Sequence, residues 1–104
     1  MKPGTKHDGE KDRWDLLPLG VLRQVVKVLT FGSKKYADDN WKKVDRAENR
    51  YFAAMMRHLY AHRSGEYLDD ESGLPHIAHA LCCLIFMAWF AIKNHEGDAE
   101  SCEL

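Results

Sequence analysis

The feature that most constrains the fold of this chain is an uncharged apolar run near its C-terminus, IAHALCCLIFMAWFAI at residues 77–92. As a helix it is apolar on nearly every side, so other apolar surface has to surround it. The run is shorter than the roughly 20 residues that a membrane-spanning helix needs, and His79 lies near its start. We therefore interpret it as the buried helix of a bundle.

A second helix pattern precedes it, in the segment 19–31. Apolar residues recur there at helical spacing, at Leu22, Val25, Val26 and Leu29. Gly32 follows, and a glycine at that place is expected to end the helix because it readily adopts the left-handed backbone that closes many helices.

The remaining helix signals lie between these two segments. The sequence DRAE at residues 45–48 has the spacing of a capping box, with aspartate in place of serine or threonine, and predicts a helix from about there to Arg63. Pro75 suits the first turn of the last helix, which should continue to about Asn94. The predicted fold class is therefore all-α, a three-helix antiparallel bundle. Because two short helices cannot surround the third, we expect homo-oligomerisation, as a dimer or a tetramer, to complete the unit.

The length of 104 residues allows one domain. We expect a flexible polar segment at 1–12, the folded domain at 13–94 and an acidic tail at 95–104. The 15 Lys and Arg residues nearly balance the 16 Asp and Glu residues, so bulk charge favours neither nucleic acid nor a membrane as a partner. An odd count of three cysteines and a charged start without a signal peptide favour the cytoplasm.

Four of the six histidines lie in one stretch, RHLYAHRSGEYLDDESGLPHIAHA, at residues 57–80. His58 and His62 are four residues apart, and His76 and His79 are three apart, so each pair lies on one face of its helix. In an antiparallel hairpin, positions at equal distances from the turn are level. Both pairs should therefore meet near the closed end of the hairpin.

The turn between these pairs carries four carboxylates, and a bound cation would relieve their repulsion. Imidazole and carboxylate together suit Mn, Co or Zn, whereas a set dominated by carboxylates suits Mg or Mn. We predict a divalent-metal site at this end of the hairpin. Its candidate ligands are His58, His62, Glu66, Asp69, His76 and His79.

Structural zinc is an alternative, because His76, His79 and Cys83 recur along one face of the last helix. The adjacent Cys82 and Cys83 are also explained as small buried hydrophobic residues. Each histidine by itself is commonly a hydrogen-bonded helix residue.

The segment FGSKKYADDNW, at residues 31–41, combines positive charge, aromatic rings and an amide. Lysines can contact phosphate, the rings can stack on a base, and the amide can bond to a base edge or a sugar. A guanidinium on the second helix can bind phosphate oxygens in bidentate fashion. The candidate nucleotide-binding residues are Lys34, Lys35, Tyr36, Asn40, Trp41 and Arg57. In the alternative interpretation, the rings pack this loop onto the bundle and the lysines face water.

Three motifs in order, RWDLLP, GSKKYADDNW and the histidine stretch, resemble the N-terminal domain of phage-type dATP/dGTP diphosphohydrolases, the MazZ-like proteins. The resemblance covers roughly residues 13–90. That group looks related to the all-α nucleoside triphosphate pyrophosphohydrolases of the MazG type, which are Mg- or Mn-dependent helical oligomers. The resemblance implies hydrolysis of dATP or dGTP to monophosphate and pyrophosphate, in the host cytoplasm if the protein is phage-encoded.

MazG-type enzymes carry E-x-x-E on one helix and E-x-x-D on the next, whereas histidines occupy the corresponding positions here. The histidines favour Mn, Co or Zn over Mg. In the mechanism that the resemblance implies, Glu66 or Glu71 acts as the catalytic general base toward a metal-bound water.

Two further functions stay open. An HD-type phosphohydrolase needs a contiguous His-Asp pair in its metal site, and His7-Asp8 is the one such pair in the sequence. A non-catalytic oligomerisation or interaction module would use the apolar helix and no catalytic metal.

Overall fold

The computed structural model describes residues 3–96. This part of the chain forms three α-helices, α1 at Leu19–Lys35, α2 at Ala47–Arg63 and α3 at His76–Glu96. Short 3-10 turns lie at Trp14–Leu16 and Asn40–Lys43, and an isolated β-bridge pairs Leu68 with Pro75. The all-α class predicted from the sequence is confirmed. Most of the predicted acidic tail, residues 97–104, lies outside the described residues.

Helix α1 continues through Gly32, so the prediction that this glycine ends it is wrong. The backbone N–H of Tyr36 donates to the carbonyl of Gly32 at 2.9 Å, which continues the helical hydrogen bonding to the C-cap. A glycine inside a helix costs only about 1 kcal/mol, which the packing of α1 offsets. As a result Lys34 and Lys35 lie on the last turn of a helix and not in a loop.

Helix α2 begins at Ala47, and its N-cap is Arg46 in the left-handed conformation, with φ 54°. The predicted capping box is therefore absent, because Asp45 lies one residue outside the cap and no side chain caps the helix. The C-terminal end at Arg63 agrees with the prediction. Gly65 follows with φ 97°, a conformation that a residue with a side chain adopts only with strain.

Helix α3 is central, because both α1 and α2 pack against it, α2 more extensively. The buried core lies between α1 and α3 and uses small side chains on α3. Its buried members are Val25, Val28, Ala78 and Cys82, with Leu29, Leu74, Leu81 and Phe86 packed against them.

By length and composition alone, α3 could also cross a bilayer, since residues His76–His95 have a mean hydropathy of 1.6. The helix extends beyond the apolar run at both ends, so the length argument made from the sequence does not hold. Core helices of bundles have the same composition, and α3 is packed by both α1 and α2.

One apolar stripe of α3 stays exposed in the described part of the chain. Ile77 and Leu84 are 42% and 50% exposed. Together with the exposed Ala88 and Ala91 and the partly buried Leu81, which also contacts the core, they recur at alternating intervals of four and three residues, the spacing by which one helix packs along another. No charged side chain lies on α3 between His76 and Ile92. We propose that α3 of a second copy covers this stripe, because an uncharged stripe with this spacing is complementary to itself.

We expect the wild-type protein to sediment as an oligomer at micromolar concentration and the Leu84→Glu variant to sediment as a monomer. The reason is that a carboxylate in an apolar helix interface loses its hydration without gaining a partner. Tyr60→Glu, at a position on α2 that is 77% exposed, is the matched control and should leave the oligomer intact. A wild-type protein that stays a folded monomer would contradict the proposal.

Candidate functional site

The connection from α2 to α3, residues 64–75, is held by its own backbone hydrogen bonds. The N–H of Asp69 donates to the carbonyl of Leu74 at 2.8 Å, and the N–H of Gly73 donates to the carbonyl of Asp69 at 2.8 Å. The N–H of His76 donates to the carbonyl of Tyr67 at 2.9 Å, which joins the loop to the first turn of α3. The loop therefore places its carboxylates in fixed positions beside the helix.

His58 on α2 lies level with both histidines of α3, as an antiparallel hairpin requires. The Nδ1 atoms of His58 and His76 are 2.9 Å apart. The rings of His58 and His79 stack, with centroids 4.6 Å apart and 12° between their planes. In the absence of a cation, one Nδ1 atom donates its proton to the other.

The same nitrogen separation fits a metal ion. Neighbouring ligands at a right angle around a metal with bonds of about 2.1 Å lie about 3.0 Å apart. Single ligand atoms of His58, Asp69 and His76 all lie within 4.8 Å of one another. Within residues 3–96 this is the one group of three or more such side chains. Two imidazoles and one carboxylate form a donor set that suits Mn, Co or Zn.

Glu66 approaches His76 from the other side of the ring. Its Oε2 atom is 3.6 Å from His76 Nε2, a nitrogen that is buried and has no hydrogen-bond partner. A carboxylate on the outer nitrogen of a ligating histidine orients the ring and directs its other nitrogen toward the metal. Glu66 is therefore placed to support His76.

His79 and Asp69 meet through Ser72, a residue that sequence reasoning missed. The Ser72 N–H donates to Asp69 Oδ2 at 2.9 Å, and Ser72 Oγ lies 2.7 Å from His79 Nε2. The direct separation of Asp69 Oδ2 and His79 Nε2 is 3.9 Å. The spacing D-x-x-S is the signal in the sequence, because a serine three residues after an aspartate can donate its N–H to that carboxylate.

The protonation states in this cluster favour a cation. Burial lowers the pKa of His58, and the nearby His79 and His76 lower it further. Burial also lowers the pKa of His79, against the opposing effect of Asp69. Burial by itself would raise the pKa of Asp69, but hydrogen bonds from Ser72 bring its pKa below the usual value. Near neutral pH His58 and His79 are therefore neutral imidazoles, and Asp69 is a charged carboxylate.

His62 and Cys83 are not part of this cluster. His62 is half-buried on the last turn of α2, and no side-chain contact within the described residues joins it to the other histidines. Burial raises the pKa of the Cys83 thiol to about 11. Cys83 is absent from the group of candidate ligand atoms, which argues against the structural-zinc alternative.

A cleft of about 1180 Å³ adjoins the cluster, between α1, α2 and α3. His79 and Phe86, which both line it, lie seven residues apart on α3, or roughly 10 Å along the helix axis. The cleft thus has a polar end at the histidines and an aromatic end at Phe86. The cationic side chains that line it are Lys34, Lys35, Lys42, Arg50 and Arg57.

The predicted nucleotide-binding residues divide into two groups in this cleft. Trp41 stacks on Phe86, with centroids 4.3 Å apart, and meets the edge of Trp89, so its ring packs the 3-10 turn onto α3. Tyr36, at the C-cap of α1, lines the cleft and is 64% exposed. The packing alternative thus describes Trp41, whereas the Tyr36 ring is exposed in the cleft, with Lys35 Nζ over it at 5.2 Å from the centroid.

The remaining members of that set also line the cleft. Asn40 is half-buried at the start of the 3-10 turn, and Arg57 and Lys34 are exposed. Lys35 forms an ion pair with Glu71, which raises the pKa of the lysine and connects the end of α1 with the α2–α3 loop. This ion pair places Glu71 at the rim of the cleft beside the histidine cluster.

Comparison with known proteins gives two matches. A family model described as dATP/dGTP diphosphohydrolase, N-terminal, matches residues 1–100. A protein of Salmonella phage PMBT28 named dATP/dGTP diphosphohydrolase is 34% identical over 97 residues, which cover 91% of this chain and 32% of the phage protein. The chain thus spans about a third of the length of that relative. No solved structure matches. The chain belongs to the family of dATP/dGTP diphosphohydrolase N-terminal domains.

Proposed function

We propose that this domain hydrolyses a purine deoxynucleoside triphosphate, dATP or dGTP, to the monophosphate and pyrophosphate with the help of a divalent metal. The observation that carries the proposal is the convergence of His58, Asp69 and His76 beside a cleft that has cationic walls and one aromatic end. The family relative from Salmonella phage PMBT28 supplies the substrate class.

In this proposal the metal is held by His58, Asp69 and His76, whose separations fit one cation. A divalent cation in this position supplies charge neutralisation for phosphate oxygens and lowers the pKa of a bound water. Glu66 orients His76 from its outer nitrogen. The donor set favours Mn, Co or Zn over Mg, which prefers oxygen ligands.

Glu71 is the better placed of the two candidate general bases. It lines the cleft, and its ion pair with Lys35 holds the carboxylate at the rim. Glu66 does not line the cleft and lies beside the buried nitrogen of His76. In our proposal Glu71 accepts the proton of the attacking water, while Lys35 maintains its position and contributes positive charge near the phosphates.

The rest of the cleft would hold the nucleotide. Lys34 and Arg57 are exposed cations on opposite walls, α1 and α2, and can contact the triphosphate. Tyr36 offers a ring face to the purine. Asn40 lies on the adjoining 3-10 turn, where its amide can bond to the sugar or a base edge.

A second candidate function has one observation in its favour. Because the chain spans about a third of its phage relative, the domain can be a nucleotide- and metal-binding module that needs a further region for hydrolysis. Incubating the domain alone with dATP, dGTP, ATP and dTTP plus Mn, followed by chromatographic separation of the products, distinguishes the two functions. Binding without turnover would favour the module.

We expect His58→Ala and Asp69→Ala each to weaken Mn binding at least tenfold in calorimetry, because each removes one of three candidate ligands. The α-helical content should remain, since both side chains are only half-buried. His95→Ala, an exposed histidine at the end of α3, is the control and should bind Mn as the wild type does. Equal affinities in all four proteins would contradict the proposed site.

The pKa shifts predict how metal affinity and stability depend on pH. His58 and His79 have pKa values below the ordinary value of about 6.5, so both imidazoles stay neutral down to that pH. We expect Mn affinity to be level from pH 8 to about 6.5 and to fall at lower pH as protons compete with the metal.

The metal-free protein should lose stability in the same direction. The unfolded chain takes up these protons first, so the free energy of unfolding should fall as the pH drops below about 6.5. Urea denaturation at several pH values measures this change. A stability that rises between pH 7 and pH 5.5 would be inconsistent with the lowered pKa values.

Trp41 packs against α3 whereas Tyr36 is exposed, and this difference gives a further prediction. Tyr36→Ala should raise the KM for dATP several-fold without lowering the Tm, because its ring is exposed, and Tyr36→Phe should retain the wild-type KM. Trp41→Ala should lower the stability by on the order of 3 kcal/mol, because it removes a ring packed against three aromatic side chains. If Tyr36→Ala leaves the KM unchanged, the base lies elsewhere.

A further inference from the structure

Ser72 lies in the α2–α3 loop, half-buried between the carboxylate of Asp69 and the ring of His79. Three short contacts meet at this residue. Its N–H donates to Asp69 Oδ2 at 2.9 Å, its Oγ accepts the N–H of Leu74 at 3.1 Å, and the same Oγ lies 2.7 Å from His79 Nε2. A serine that only stabilised the loop would not need the contact with His79.

The donor and acceptor roles follow from the neighbouring groups. A hydroxyl has one proton and two lone pairs, and the Leu74 N–H occupies one lone pair. Asp69 receives the backbone N–H of Ser72, and among the described residues the acceptor within hydrogen-bond distance of the hydroxyl is His79 Nε2, at 2.7 Å. The hydroxyl proton therefore points to His79 Nε2, and the proton of the neutral ring lies on Nδ1.

We infer that Ser72 is a positioning residue, which fixes His79 as the Nδ1–H tautomer by donating its hydroxyl proton to Nε2 and holds the ring against His58. With Nε2 bonded to Ser72, that nitrogen is not free to ligate a metal, which agrees with the absence of His79 from the group of candidate ligand atoms. The ring of His79 stacks on His58 within 12° of parallel. It thereby limits rotation of His58, whose Nδ1 faces His76.

The inference rests on the proposed function only for its consequence, the arrangement of the metal ligands. The tautomer of His79 is a property of the metal-free protein. The two parts can therefore fail separately.

The test compares wild type, Ser72→Ala and Ser72→Thr, since threonine keeps the hydroxyl. Long-range ¹H–¹⁵N spectra of the metal-free proteins at pH 7.5 report which ring nitrogen of His79 is protonated. We expect a single Nδ1–H tautomer in the wild type and in Ser72→Thr, and averaged tautomers in Ser72→Ala. Mn titration should show about tenfold weaker binding for Ser72→Ala and recovery in Ser72→Thr.

Each part of the inference has an outcome that would overturn it. A single Nδ1–H tautomer in Ser72→Ala, or the Nε2–H tautomer in the wild type, overturns the role of Ser72. Unchanged Mn affinity in Ser72→Ala overturns its consequence for His58. A wild type that shows the expected tautomer but binds no Mn contradicts the proposed function and leaves the positioning of His79 supported. If Ser72→Ala does not fold, a Ser72→Thr protein with averaged tautomers still overturns the inference.

Discussion

The contact between His58 and the two histidines at the start of α3 is the interaction on which the site depends. His76 and His79 lie at the beginning of α3, which is apolar from there to Ile92. An unpaired buried polar group there costs about 1–3 kcal/mol. His76 is only 7% exposed, and its Nδ1 is paired with His58 while its Nε2 has only the distant carboxylate of Glu66. Burial lowers the pKa of His58 and of His79, and neutral imidazole is the form that binds a metal.

The loop that closes this hairpin provides Asp69, the carboxylate that lies beside the histidines. Its backbone bonds join it to the first turn of α3, and they place Asp69 beside the rings. Asp69 remains a carboxylate because Ser72 stabilises its charge against the cost of burial. The same packing therefore keeps the Asp69 carboxylate charged and the imidazoles of His58 and His79 neutral near pH 7.

The cleft shows how packing separates residues of similar chemistry. Trp41 and Tyr36 are both aromatic members of one short segment, yet α3 provides Phe86 and Trp89 as partners for the tryptophan only. Lys34 and Lys35 are adjacent, and the loop provides Glu71 as a partner for the second. Tyr36 and Lys34 remain exposed in the cleft and are therefore accessible to a ligand.

The sequence by itself determined the three helices, the hairpin and the level position of His58 and His79, because helical periodicity and distance from a turn depend on local spacing. It placed the C-terminal end of α1 and the N-cap of α2 less well, since a glycine or a capping pattern states a local preference that packing overrides, as at Gly32. The tertiary structure alone placed His62 outside the cluster, packed Trp41 and brought in Ser72. These outcomes depend on which side chains of distant segments come into contact, and that is decided by the packing of α2 and α3 and not by spacing along the chain.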